Sequence, residues 1–354
     1  MRSASQSGRS LNVDNRRENT VNNIVSNGEM KAALYYKYGS PDVIRVAETE
    51  KPAPKAGEVL IQIKAASVNT YDWRLLRAKP FFTRFLSGLF KPKNNILGAD
   101  IAGIVTAVGN GAGKFKPGDE VFCCLESCGK GGLASGGFAE YVCAKETVLA
   151  VKSPMLSFEE AAGLPMAAVT ALQGLRDDGR LEQGQSVLIN GASGGVGLFA
   201  VQIAKALGAE VAAVCSTGSV EMVRSLGADT VFDYTKEDFI NDGRQYDVIL
   251  DVAATRTVKD YRQALKPNGR GVVVGFSSIG HMLSVSFAVK RDGKRIAILV
   301  ANNRNADDLS FLNELAESGK LKVVIDSSYS LEETAEALRH AETGHPRGKI
   351  IIKP

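Results

Sequence analysis

The sequence predicts an α/β protein in which a doubly wound parallel sheet is joined to a mostly antiparallel β domain. Three observations carry this. Residues 30–154 are filled with short β-branched or aromatic runs broken by Gly and Pro, the texture of antiparallel strands. After Pro154, strands and amphipathic helices alternate, which calls for parallel strands with helices on both faces. Between one such strand and helix lies the turn Asn190-Gly191-Ala192-Ser193-Gly194-Gly195-Val196-Gly197.

In order along the chain, residues 1–29 are rich in Ser, Asn and Arg and can bury little, so a disordered tail is expected. Its Arg and Ser content has a transit-peptide character, which Asp14, Glu18 and Glu29 oppose. Strands are expected over 31–36, 43–47, 58–65, 101–108, 120–124 and 138–144, separated by turn residues at 39–42, 52–54 and 116–119. A helix over 158–175 opens the second half, followed by strand 186–190 and helix 196–207. That helix sets Ala200, Ile203, Ala204 and Leu207 on one face and Gly208 at the C-terminal cap. The alternation continues with strand 211–215, helix 220–226, strands 230–232 and 247–252, helix 257–265 and strands 271–276 and 295–301. The remainder, helix 306–321, strand 323–327, helix 331–342 and strand 349–352, is expected to return to the first domain. The domains are then 30–154 with 302–354, and 155–301.

Composition narrows the partner. Across 354 residues, 43 Lys and Arg stand against 39 Asp and Glu, and a net charge of +4 is too small to argue for nucleic acid. A small molecule is expected. Five cysteines, with Cys123, Cys124 and Cys128 bunched together, do not form a disulfide framework, so a reducing, cytoplasmic setting is expected. No run of 18 or more apolar residues is present.

The glycine turn is one substitution from the dinucleotide fingerprint of a Rossmann domain. Ala192, Ser193, Gly194, Gly195 and Val196 are the expected pyrophosphate site, because free amides and positive potential gather at the helix start. Val252, at the end of strand 247–252, joins this cofactor-binding set. An NAD site usually ends its second strand with an acid; here that strand ends Cys215-Ser216-Thr217, which favours NADPH. Ser216, Thr217, Ser219 and Tyr234 are candidate phosphate partners. The same Ser/Gly stretch could cap the helix at 220, and no basic residue stands at Ser219.

Several motifs then occur in order: Ala66-Ser67-Val68-Asn69-Thr70-Tyr71-Asp72, Gly98-Ala99-Asp100-Ile101-Ala102-Gly103, Pro117-Gly118-Asp119-Glu120-Val121, Gly136-Gly137-Phe138-Ala139-Glu140-Tyr141, Gly163-Leu164-Pro165 with Thr170-Ala171, and Arg347-Gly348-Lys349. With the glycine turn, they resemble the medium-chain dehydrogenase/reductase superfamily over about residues 30–354, and within it the zinc-independent quinone oxidoreductase and enone reductase branch. The resemblance implies a GroES-like catalytic domain built from both chain ends, a Rossmann doubly wound parallel sheet between them, and NADPH in the cleft. It also implies that Thr170 approaches the nicotinamide and that Gly275, Phe276 and Lys349 contact the cofactor. The family often dimerises through edge strands, for which 295–300 is the apolar candidate, with a buried strand of a monomer as the alternative.

Zinc can be judged from composition. The only histidines are His281, His340 and His345, so the N-terminal His/Cys ligands of a catalytic alcohol dehydrogenase zinc cannot be assembled. Asp100 stands where those relatives carry a histidine and glutamate. The spacing of Cys123, Cys124, Cys128 and Cys143 does not match a structural zinc lobe.

Without a Lewis acid, hydride acceptors that delocalise their own charge are best served, namely quinones and α,β-unsaturated carbonyls. Asn69 is the candidate donor to an acceptor oxygen or orienter of the nicotinamide. Asp72 is expected to hold its loop. Tyr71 is a candidate proton donor, with solvent water as the alternative. The stretch 74–93 interleaves Arg74, Arg77, Lys79, Arg84, Lys91 and Lys93 with Phe81, Phe82, Phe85, Leu86, Leu89 and Phe90 and holds no acid. It could lie weakly on an anionic membrane and admit a lipophilic acceptor, or its aromatics could wall the cleft or pack on the core. The expected function is NADPH-dependent reduction of quinones or enones. The alternatives are reduction of other carbonyl or nitro compounds, and a non-catalytic NADPH-binding sensor or structural protein.

Overall fold

The computed structural model describes residues 28–81, 83–125, 136–275, 278–288, 293–302 and 306–354. Glu29, placed in the tail by the sequence reading, instead opens β1 (Glu29–Leu34), which pairs with β2 (Arg45–Glu50) as an antiparallel ribbon. Next come β3 (Glu58–Val68), α1 (Thr70–Arg77), α2 (Thr83–Ser87), β4 (Asp100–Val108), β5 (Glu120–Cys124), β6 (Tyr141–Lys145) and β7 (Ala150–Val151). The middle of the chain forms α3 (Phe158–Gly163), α4 (Pro165–Gln173), β8 (Ser186–Asn190), α5 (Gly195–Ala206), β9 (Glu210–Cys215), α6 (Val220–Ser225), β10 (Thr230–Asp233), β11 (Tyr246–Asp251), α7 (Val258–Ala264), β12 (Leu265–Val274), α8 (Ile279–Ser286) and β13 (Arg295–Leu299). The chain closes with α9 (Ala306–Glu317), β14 (Ile325–Ser330), α10 (Thr334–Glu342) and β15 (Lys349–Lys353).

Six parallel strands run β10-β9-β8-β11-β12-β13. Order reverses between β8 and β11, which makes their C-terminal ends the place where an open α/β sheet takes its ligand. The second sheet runs β14-β15-β3-β4-β5-β7, with β6 also on β3. β3 is its spine. Residues 58–62 pair with β6 and residues 66–68 with β15, and register shifts between Leu60 and Ile61 and between Ile63 and Ala65 accompany this change of partner. The C-terminal strand is thereby fastened beside a strand from the N-terminal half.

One apolar cluster spans both sheets. It unites Ala65, Ala102, Phe122 and Ile351 of the mixed sheet with Ala161, Ala168 and Leu172 of α3 and α4 and with Val187, Ile189 and Val201 of the nucleotide domain. Burial of this continuous surface, at about 25 cal/mol per Å² of apolar area, holds the two sheets around α3 and α4.

Several expectations shift. The single helix over 158–175 is broken at Leu164, because Pro165 has no N–H to continue α3 and instead opens α4 at its first position. A wide turn over Gly174–Asp178 follows, closed by Gly179 N to Gly174 O. The loop that Asp72 is expected to hold is the start of α1, where the Asp72 carboxylate accepts from Asn69 N. Helix α8, capped by Ser278 accepting from His281 N, was not foreseen. Strand 295–301 ends at Leu299, and strand 323–327 shifts to β14.

Candidate active site

The glycine turn lies at the sheet's switch point. Gly191 has φ +86°, a left-handed conformation that favours glycine, and Ala192 N bonds Val214 O at 2.9 Å. At Gly197 an added Cβ would fall 2.2 Å from Gly191 O, so only glycine lets α5 sit this close to the strand end. The first intrahelical bond is Leu198 N to Gly194 O, which leaves the amides of Gly195, Val196 and Gly197 ahead of it. A Cβ at Gly194 would meet nothing nearer than 3.7 Å, so the space above the turn is open. These features fit a dinucleotide pyrophosphate. Below the turn, Asn190 Nδ2 donates to Asp251 Oδ1 at 2.9 Å, and buried Asp251 also accepts from Tyr261 Oη and Ala254 N. Val252 N bonds Asn190 O, which fixes Val252 at the same edge.

Facing the turn is a buried polar cluster. Lys349 Nζ donates to Asn69 Oδ1 at 2.6 Å, and Asn69 Nδ2 donates to Asp100 Oδ2 at 2.9 Å and to Ser67 O at 3.4 Å. Asp100 also accepts from Ser67 Oγ and from Met166 N in the first turn of α4, where a carboxylate matches the helix dipole. Asp72 accepts from Asn69 N at 2.7 Å and Gly98 N at 3.1 Å. One side of the cluster touches the turn: a Cβ at Gly195 would lie 3.3 Å from Lys349 Cδ.

Two carboxylates and one ammonium share this dry site. Burial pushes Asp72 up to about 7, against hydrogen bonds from Asn69 and Gly98. Burial likewise raises Asp100, opposed chiefly by Lys349, and lowers Lys349, opposed chiefly by Asp100. The three titrate as one unit, and retaining a proton on the pair of acids relieves an otherwise net negative buried cluster.

These bonds correct one expectation. The Asn69 amide does not point free donors at an acceptor: its oxygen is held by Lys349 and its nitrogen by Asp100 and Ser67. Asp72 holds the first turn of α1. Tyr71 is half-buried and packs with Trp73 against the core of the mixed sheet.

The cofactor candidates fall in three places. Thr170, buried on α4, donates its hydroxyl to Met166 O at 2.6 Å. Gly275 follows β12 with φ +76°, and Arg74 Nη1 from α1 comes within 3.9 Å of where its Cβ would lie. Phe276 lies outside the described residues. Around the end of β9, Ser216 is half-buried and Tyr234 is 55% exposed, whereas Ser219 is buried and makes no side-chain cap to α6. Thr217 donates to Asp233 Oδ2 at 2.6 Å. Burial thus takes Ser219 out of the readily reached set, and Thr217 has already committed its proton.

Asp233 was missed by the sequence reading. It ends β10, paired in register with Cys215, and so places an acid beside the second strand's end that the linear pattern does not show. Hydrogen bonds from Thr217 and Thr235, with Lys236 at 3.2 Å, hold its carboxyl well below the usual range. Asp100 was noticed only as a substitute for metal ligands, although it joins three elements.

The side chains around Asp100 do not make up a metal-ligand set. Asp100 lies among Asn69, Lys349 and Cys124, its carboxylate bonded to an amide and to the Met166 backbone and close to an ammonium. Among the described residues no group of three or more His, Cys, Asp or Glu is arranged to hold a metal. Cys128 lies outside the described residues.

Residues 55–154 match the alcohol dehydrogenase GroES-like domain, and residues 226–352 match the zinc-binding dehydrogenase family. A 2-methylene-furan-3-one reductase of Solanum lycopersicum is 36% identical over 332 residues, spanning 92% of this chain and 79% of that protein. A chloroplastic NADPH-dependent alkenal/one oxidoreductase of Arabidopsis thaliana is 34% identical, over 92% of this chain and 80% of that one. The structure of the quinone oxidoreductase from Coxiella burnetii aligns with a TM-score of 0.82 at 31% identity, covering 92% of this chain and 100% of that chain. The chain belongs to the medium-chain dehydrogenase/reductase superfamily. Its two sheets are the GroES-like and Rossmann-like units of that superfamily, and its relatives place it with the quinone and enone oxidoreductases rather than the zinc alcohol dehydrogenases. It is an oxidoreductase.

Replacing Lys349 with Met strands two buried carboxylates, so K349M should lose about 3–5 kcal/mol of stability at pH 8. The loss should shrink at pH 5. Acids whose folded pKa lies above the unfolded value cost stability as pH rises through that interval, and this cost grows once the ammonium is gone. Urea unfolding of both proteins at the two pH values checks this, and an equal loss at both would contradict the shared titration.

Proposed function

We propose that the protein is a zinc-independent, NADPH-dependent reductase that delivers hydride to quinones or α,β-unsaturated carbonyls. The observation that carries this reading is the Lys349–Asn69–Asp100 cluster beside the glycine turn: a cleft that offers an ammonium and fixed hydrogen bonds in place of a metal-ligand set. Two relatives' names, a 2-methylene-furan-3-one reductase and an NADPH-dependent alkenal/one oxidoreductase, support the acceptor class, and the second supports the cofactor. The end of β9, Cys215-Ser216-Thr217, carries no acid of its own, and the neighbouring Asp233 is bonded to Thr217, Thr235 and Lys236.

When bound, the reduced nicotinamide supplies the hydride. The chain's residues bind and orient. The amides of Gly195, Val196 and Gly197 take the pyrophosphate. Asp100 pins the first turn of α4 through Met166 N, and so sets the height of Thr170 in the cleft. Lys349 holds Asn69 through its Oδ1 and so fixes the polar floor beside the glycine turn. Solvent supplies the proton, since Tyr71 packs against the core of the mixed sheet and Asp72 is fully buried.

Purified protein should oxidise NADPH, followed at 340 nm, with 1,4-benzoquinone, 9,10-phenanthrenequinone or 2-alkenals, at least tenfold more efficiently than NADH and unchanged by a chelator. Tight NADPH binding without turnover of any acceptor would replace this reading with that of a sensor.

Two partner surfaces accompany it. Phe81, Phe85 and Phe90 are 63%, 68% and 88% exposed on an acid-free basic stretch that continues from α1, so they do not pack on the core; Phe82 lies outside the described residues. This arrangement supports weak docking on an anionic bilayer beside the cleft. Vesicles containing anionic lipid should sediment the protein at low salt, and doing so equally after Phe85→Ser and Phe90→Ser would count against this surface. β13 is one of the two edge strands of the parallel sheet, and Val300 beyond it is 88% exposed, which supports a homodimer through paired edges. Sedimentation velocity should give twice the chain mass, reduced to one by Ile298→Lys.

A further inference from the structure

At the end of the parallel sheet away from the glycine turn, two arginines stand side by side. The chain bulges over Lys266-Pro267-Asn268-Gly269, where the register of β11 with β12 shifts, so regular pairing of β12 begins at Arg270. Arg270 pairs in register with Arg295, the first residue of β13. Residues paired in this way put their side chains on the same face, and like charges so placed are destabilising. A third arginine is near. Arg180 follows Gly179, whose Cβ would fall 3.0 Å from Val248 Cγ1, and Val248 is the partner of Arg270 on its other side. Burial and the charges of Arg180 and Arg295 hold the Arg270 guanidinium below its ordinary value, with Asp178 opposing them. Arg176, on the same turn as Asp178, is paired with Asp177 and Asp308. Among the described residues, no carboxylate forms a salt bridge with Arg180, Arg270 or Arg295. Beside the Arg270–Arg295 pair is a cavity of about 560 Å³, walled by the polar Asn268, Arg270 and Arg295 and the apolar Ala288, Ile296 and Ala297.

We propose that this cavity binds a small phosphomonoester, with the phosphoryl dianion held between Arg270 and Arg295 and the organic group against Ala288, Ile296 and Ala297. Gly275, at the cofactor end of β12, is five residues from Arg270, about 16 Å along an extended strand, so the site is separate from the cleft. Two like charges on adjacent strands, one of them half-buried, cost stability until an anion neutralises them, and guanidiniums do not shed their protons to relieve the conflict. Neighbouring strands lie about 4.8 Å apart, which lets two planar forks share the three terminal oxygens of one phosphoryl group. A carboxylate has two oxygens, and a single fork takes both. The charge of Arg180, felt at Arg270, adds positive potential that draws a dianion more strongly than a monoanion. The apolar part of the wall gives an organic group a place out of water, which free phosphate leaves unused.

The test is direct binding to the whole chain, in buffer free of phosphate and sulfate and without added cofactor. Phenyl phosphate and inorganic phosphate are titrated calorimetrically into the wild type, Arg270→Gln and Arg295→Gln, and the unfolding temperature of each protein is followed with and without them. With no anion present, each variant should unfold at the wild-type temperature or above, because a like-charged neighbour is gone. Phenyl phosphate should bind the wild type and raise its Tm, and it should bind each variant roughly 10-fold more weakly or worse. Inorganic phosphate bound as tightly as phenyl phosphate overturns the organic half of the ligand and leaves a phosphate site. A wild type that binds neither overturns the proposal. So does binding that persists unchanged in both variants, which belongs elsewhere on the chain, or a Tm rise that sodium chloride reproduces at equal ionic strength.

Discussion

The structure depends on one buried junction, the hydrogen-bonded chain from Lys349 through Asn69 to Asp100 and on to Met166 N. Each link belongs to a different element: the start of β15, the residue between β3 and α1, the start of β4, and the first turn of α4. Charged groups taken out of water are costly unless every partner is in place. Misplacing any one element would leave a carboxylate or ammonium uncompensated, so the junction selects a single mutual arrangement of the two sheets more than it adds net stability. Apolar burial around α3 and α4 supplies the bulk of the cohesion.

The same junction shapes the chemistry. Lys349 bonded to the Asn69 amide, with Asp100 and Asp72 close by, makes a fixed polar junction, and preorganised dipoles act on developing charge without needing to reorganise. Because Asn69 is saturated by its partners, it cannot adapt its donors to different acceptors.

Much of the frame was legible in the linear chain because it is written in local periodicity. Strand 186–190, the glycine turn and the following helix appear where apolar spacing and glycine placement put them. Where the reading slipped, a single local competitor decided. Pro165 split one helix into two, the Asp72 side chain capped α1 by accepting from Asn69 N, and Ser278 capped α8. Each is a capping or backbone effect of about 1 kcal/mol or a few, small against hydrophobic patterning yet enough to place an end.

By itself, the sequence determined the class of fold, the position of the dinucleotide turn and the lack of early histidines for a zinc site, because each follows from residue type and spacing within a few turns of chain. Tertiary structure alone decided which polar groups meet. Lys349 and Asn69 are 280 positions apart, Asp233 reaches Thr217 only because β10 pairs in register with β9, and Arg270 meets Arg295 only because β12 pairs in register with β13. Those meetings are set by sheet order, and sheet order is fixed by burying both sheets against shared helices, a global packing condition that no local pattern encodes.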